Sequence, residues 1–172
     1  FLMGGGSAAF FLASTKDDFG TMRAEVVRHD LNALLGHYGV IVAKSTLLDR
    51  KSNEKLPMPI QVGRRRAMVP INYPLIPVTT ALNRSSRVVR LIDRAVLPFS
   101  GPVTLADPLP QGIEGDVWIE TMPTATAANG LVHIGHDAFQ APPYGEDAGP
   151  HSAAVAVKGR FSSFFAERDI PA

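Results

Sequence analysis

Hydrophobic and polar positions divide this chain into short stretches of different period. Ser7–Ala13 is an apolar run without alternation, which predicts a strand covered on both faces. Phe1–Met3 reads as the last turn of a helix, with Gly4–Gly6 as its stop. Between Glu25 and Tyr38 the apolar residues Val27, Leu31, Leu34, Leu35 and Tyr38 recur at helical spacing and predict one amphipathic helix, with Gly39 just past its end. Val40–Val42 and Thr46–Leu48 are short extended pieces, and Lys51–Leu56 is a polar loop. Pro57–Val62 and Ala67–Ile71 are expected to pair as strands around Arg64-Arg65-Arg66.

Prolines 70, 74 and 77 then hold the chain extended, because each bars its predecessor from the helical region and lacks an amide donor. Arg87–Ala95 suits a short helix or a strand, and Val96–Leu105, with Pro98 and Pro102, suits an edge or a kinked strand. Asp116–Met122 alternates, with Val117, Ile119 and Thr121 on one face and Trp118 and Glu120 on the other. Thr124–Tyr144 has little pattern. Ser152–Lys158 is a strand of small and branched residues stopped by Gly159, and the phenylalanine-rich tail from Phe161 is expected to pack down.

Composition narrows the function classes. A chain of 172 residues suits one domain, and its apolar fraction of 45% suits a folded core. The net charge of +1 argues against a nucleic-acid partner. With no cysteine there is neither a disulfide framework nor a thiolate site. No run of about 18 apolar residues occurs, so no segment of this sequence reads as a membrane-spanning helix. The opening FLMGGGSAAFFLA reads as a helix end running into a strand, so we expect a fragment of a longer protein, with earlier elements and any targeting segment lying outside it.

Candidate chemistry is sparse. His133, His136 and Asp137 offer two imidazoles and a carboxylate for a metal-assisted hydrolase, although Gly135 interrupts the pair and a distant further ligand is needed. His29, Asp30 and His37 read as solvated helix residues. Arg64–Arg66 could meet phosphate or an acidic lipid surface, but also suits a solvated hairpin turn. Gly4–Ser7 closes a helix where a phosphate loop would open one. The acid pairs Asp17-Asp18 and Glu146-Asp147 read as turns, no serine sits in a nucleophile elbow, and no catalytic residue or cofactor is expected.

Four stretches resemble one family: FLMGGGSAAFFL, DLNALLGHYGVIVAKSTLLDR, NYPLIPVTTALNRSSRVVR and GPHSAAVAVKGRFSSFF. Their order is similar to that of the GldG-like auxiliary components of gliding-motility-type ABC transport systems. The sequence departs from the family at Gly4, where arginine is frequent, and at Ala13-Ser14, where Asp-Pro often follows the strand. The resemblance implies an extracytoplasmic α/β domain, a flavodoxin-like or amidotransferase-like layered sheet with an added β-rich C-terminal part, tethered to the inner membrane and lacking catalytic residues. It also implies an ABC permease and its ATPase as partners. A parallel sheet takes ligands at the carboxyl ends of its strands. On that analogy Ser14, Asp17, Asp18, Asp49 and Arg50 are the expected contacts for a partner, an envelope glycan or a peptide, and Trp118, Tyr73 and Tyr144 are candidate aromatic anchors.

Overall fold

The computed structural model describes residues 2–18, 20–27, 31–135 and 148–166. Their elements follow in chain order as β1 (Thr15–Asp18), β2 (Arg23–Val26), α1 (Asn32–His37), β3 (Val40–Val42), β4 (Ser45–Asp49), β5 (Asn53–Val62) and β6 (Arg65–Thr79). The second half holds β7 (Ala95–Val96), β8 (Val103–Leu105), β9 (Ile113–Glu120), β10 (Ala125–Asn129), β11 (Leu131–His133) and β12 (Ser152–Gly159).

This is a β architecture, and it overturns the expected α/β layered sheet. The strands form small sheets in the orders β1-β2-β11, β5-β6-β7, β4-β10, β9-β12 and β3-β8. Among the described residues every strand pairing is antiparallel. A flavodoxin-like sheet needs parallel strands joined by crossover helices, and α1 has only six residues.

The helix expected over Glu25–Tyr38 fails for a local reason. The Asp18 carboxylate accepts hydrogen bonds from the amides of Gly20 and Thr21 and from the Thr21 hydroxyl. That side-chain turn folds the chain back, so β2 pairs with β1. The amides of Val26 and Val27 then donate to Gly130 and Ser14, not to carbonyls four residues earlier. Only the end of the helical stripe survives: Leu35 and Tyr38 are buried, and Gly39 caps the turn at φ 84°. A β-carbon on Gly39 would stand 2.7 Å from Leu109 and Pro110. Leu2–Gly4 is a 3-10 turn, whereas Ser7–Ala13 is largely exposed and forms no strand.

The hairpin of β5 and β6 matches the sequence expectation and is longer, taking in Arg65, Arg66 and most of the expected polar loop. Val62 faces Arg65 across a two-residue turn. Gly63 has φ 62° and Arg64 is not left-handed, the arrangement of a type II′ turn with glycine first. Counting from that closing pair, Pro57 opposite Pro70 and Pro59 opposite Met68 fall at non-hydrogen-bonded positions. A missing amide there costs the ladder nothing, which is why a proline-rich segment can pair.

The register then jumps from Lys55 opposite Asn72 to Asn53 opposite Pro77. Tyr73–Ile76 occupy that jump, where β6 leaves its partner and enters the core beside β4. Tyr73, Leu75 and Ile76 pack with Ala24, Leu48, Ala128, Val132 and Ile134. The weakly patterned Thr124–Tyr144 region supplies two of these strands. The alanine-rich β10 pairs along the wholly buried β4 from Ala125–Asp49 to Asn129–Ser45, and small side chains let the two lie deep in the molecule.

Tyr73 is 2% exposed and its phenol donates to the Ile134 carbonyl at 3.0 Å. Burial, with the negative charge of Asp17, pushes this phenol from 10.0 up to about 12. The folded chain therefore keeps a proton that the unfolded chain has released between those two pH values, and stability falls as pH rises through that window. We expect Tyr73→Phe to cost about 1 kcal/mol near neutrality by leaving Ile134 without its donor. The gap from wild type should narrow by roughly 1 kcal/mol near pH 11, because the variant has no phenol to ionise. Urea titrations of both proteins at the two pH values check this.

Candidate functional site

The residues expected as strand-end contacts fall in separate places in the structure. Ser14 is 7% exposed, and its hydroxyl lies 2.5 Å from the Phe99 carbonyl and 3.0 Å from Thr46 Oγ1. Thr46 in turn reaches the Ser100 carbonyl at 3.3 Å. This set ties the N-terminal segment and the Phe99–Ser100 strap to the start of β4. Asp49 stands at the other end of the same strand. Asp49 is thus three residues along β4 from the Thr46 that Ser14 bonds, roughly 10 Å at the rise of an extended chain.

Asp49 is 1% exposed and surrounded by donors. Oδ1 accepts from the amides of Lys51 and Ser52 at 2.8 Å each. The Thr124 hydroxyl lies 3.0 Å from Oδ1 and 2.8 Å from Oδ2. A buried carboxylate with this many local donors is a fold element: it closes the turn from β4 into β5 and pins the start of β10. Arg50 follows it, half-buried.

Asp17 and Asp18 lie in the β1–β2 hairpin. Asp17 accepts from Thr15 Oγ1 at 2.8 Å and lends its charge to the Tyr73 environment. Asp18 is exposed, and the hydrogen bonds from Thr21 and Gly20 hold its carboxyl below the usual range. The turn it closes is therefore strongest above the ordinary carboxylate pKa, and weakens only as pH falls through the lower folded value.

The histidine pair is only partly within view. His133 sits in β11 opposite Arg23, and its Nδ1 accepts from the Gly135 amide at 3.3 Å. His136 and Asp137 lie outside the described residues, as do His29, Asp30, Tyr144, Glu146 and Asp147. Among the described residues no three His, Asp or Glu side chains gather where they could hold a metal. His37 is engaged with the C-terminal segment: Nε2 lies 3.3 Å from both the Ser162 carbonyl and its hydroxyl, and its ring packs edge-on to Phe164. Phe161 packs on Tyr38, so the described part of the tail does fold down.

A surface groove runs between the Thr80–Arg84 turn and the Val117–Glu120 end of β9, with half-buried Trp118 in its wall. Two of its polar side chains, Asn83 and Arg84, are already committed. Asn83 donates to Asp116 at 2.7 Å and to the Val117 carbonyl at 3.1 Å, and accepts from the Ser85 amide. Arg84 donates to the carbonyls of Arg90 and Ile92, at 3.1 and 2.7 Å. Of the aromatic anchors weighed from sequence, Tyr73 is core, and Trp118 remains half exposed.

What the surface does offer is apolar area. Beyond the turn held by Arg84, Val88 is 60% and Leu91 86% exposed, with Ile92 and Val96 beside them in sequence. The signal for this patch is the run VVRLIDRAV, whose apolar residues outnumber what a two-residue strand can cover.

No helix among the described residues is long and apolar enough to cross a bilayer. No curated protein and no solved structure matches the chain. A family model does match, over residues 1–172, and its description is an ABC-type uncharacterized transport system. With the whole chain covered, this protein belongs to that family and is an auxiliary component of an ABC-type transport system.

Proposed function

We propose that the chain is a non-enzymatic interaction domain of the gliding-motility type, held at the extracytoplasmic, periplasmic face of the inner membrane, that docks on the permease and ATPase assembly. One contrast supports this reading: the polar side chains Ser14, Asp49, Asn83 and Arg84 are spent on the fold, whereas Val88 and Leu91 stand in solvent without cover. Exposed apolar side chains suit protein docking, and spent polar groups leave little to orient a small substrate.

The absence of cysteine gives a clean test. In the membrane-tethered protein, Leu91→Cys would carry the sole thiol of this domain. A membrane-impermeant maleimide should label it in intact cells that lack the permease, and several-fold more slowly in cells that contain it. Labelling only after lysis would contradict the extracytoplasmic placement. Equal rates with and without the permease would contradict docking through this patch.

A further inference from the structure

We propose that the β5–β6 hairpin is an arm that lies on anionic phospholipid headgroups. The net charge of +1 conceals a segregation. Lys55 to Ile92 hold seven of the seventeen cations and none of the sixteen carboxylates, so the rest of the chain is net −6. Four of the seven, Lys55, Arg64, Arg65 and Arg66, belong to the arm. All four are exposed, and none of them meets a carboxylate among the described residues.

The two faces of the arm differ. Directly opposed residues share a face of an antiparallel pair. Leu56 with Ile71 and Met58 with Val69 make one face, half-buried, and Leu56 and Met58 pack against the core. The other face runs from Lys55–Asn72 through Pro57–Pro70 and Pro59–Met68 to Gln61–Arg66, and every one of these residues is exposed. Met68 is 63% exposed. This free face is apolar in the middle and cationic at both ends, over a span of about 20 Å.

That arrangement suits a lipid surface. The apolar middle can settle at the headgroup and acyl boundary, and guanidinium forks pair with phosphate oxygens. Strand addition by a protein partner is disfavoured. Proline at 57, 59 and 70 removes donors from the outward edges of both strands. The proposal rests on the extracytoplasmic accessory reading only for which bilayer the arm faces.

The test uses the 172-residue chain by itself, cosedimented with vesicles of phosphatidylcholine alone or of phosphatidylcholine with phosphatidylglycerol. At low salt the chain should sediment with anionic vesicles and not with neutral ones, and added salt should release it. Replacing all three of Arg64, Arg65 and Arg66 by Ser should weaken partition roughly 100-fold, with the circular dichroism and urea midpoint unchanged. Replacing the same three by Lys should retain most of it, and Met68→Asp should reduce it. Equal partition into neutral vesicles, no partition at low salt, or an unaffected Ser variant would overturn the proposal. Salt-sensitive capture of an acidic protein by an arm that ignores anionic vesicles would overturn it in favour of a protein partner. No transporter subunit is present, so failure here leaves the docking reading to its own tests.

Discussion

Asp49→Ala should cost about 3–4 kcal/mol of folding stability, and it should do so without any ligand present. The carboxylate accepts from two backbone amides and faces a threonine hydroxyl while 1% exposed. Truncation strands all three donors in a site that cannot be resolvated cheaply. A domain of this size has on the order of 5–15 kcal/mol to lose, so the urea midpoint should drop by a large fraction of its value. Asp49→Asn keeps one acceptor oxygen and should cost less, about 1–2 kcal/mol. Thr124→Ala, by urea titration, should fall near 1 kcal/mol. A fully stable Asp49→Ala protein with altered partner binding would return Asp49 to the role of a surface contact.

Leu75→Ala should be the other large loss, about 3–4 kcal/mol. Leu75 is wholly buried, and it lies where β6 breaks register with β5 and turns from the arm into the core. Its carbonyl also accepts from the Phe99 amide at 2.9 Å, so the strap from Leu97 to Ser100 is fastened there. The cavity has few ways to collapse, because its neighbours Tyr73 and Ile134 are tied to each other by a hydrogen bond. Met68→Ala, far out on the arm, should cost under 0.5 kcal/mol in the same urea assay, since its side chain buries little. Equal losses at the two positions would show that the arm and the core are not the distinct halves of β6 that their burial indicates.

These contrasts explain what the sequence made legible. Period-2 patterns and turn chemistry located β9, β12 and the arm, because each is held by its own hairpin or by an alternating face. Gly39 was readable for the same reason: its backbone conformation is a local property. The helix over Glu25–Tyr38 was misread because an apolar stripe at helical spacing competes with partners distant in sequence. Here the Asp18 turn and the pairing with β11 prevailed. The run Ser7–Ala13 was misread as a buried strand, since apolarity alone does not supply a ladder partner.

β10 was invisible because its burial is achieved by alanines along β4, which leave no period to read. The strand-end contact residues followed from the parallel-sheet expectation, and the antiparallel pairing removes that ground for choosing them. Ser14 and Asp49 carry enough polar atoms to look functional, and only their partners identify them as supports of the fold. The charge segregation was present in the sequence all along, hidden by a net charge of +1.

Docking on an ABC assembly is the centre of this account. The direct measurement is affinity purification of the membrane-tethered protein in mild detergent, with the co-purifying subunits quantified by mass spectrometry. The account predicts an ABC permease and its ATPase in near-equal amounts. Recovery of the folded protein by itself, from cells that express the transporter, would contradict it.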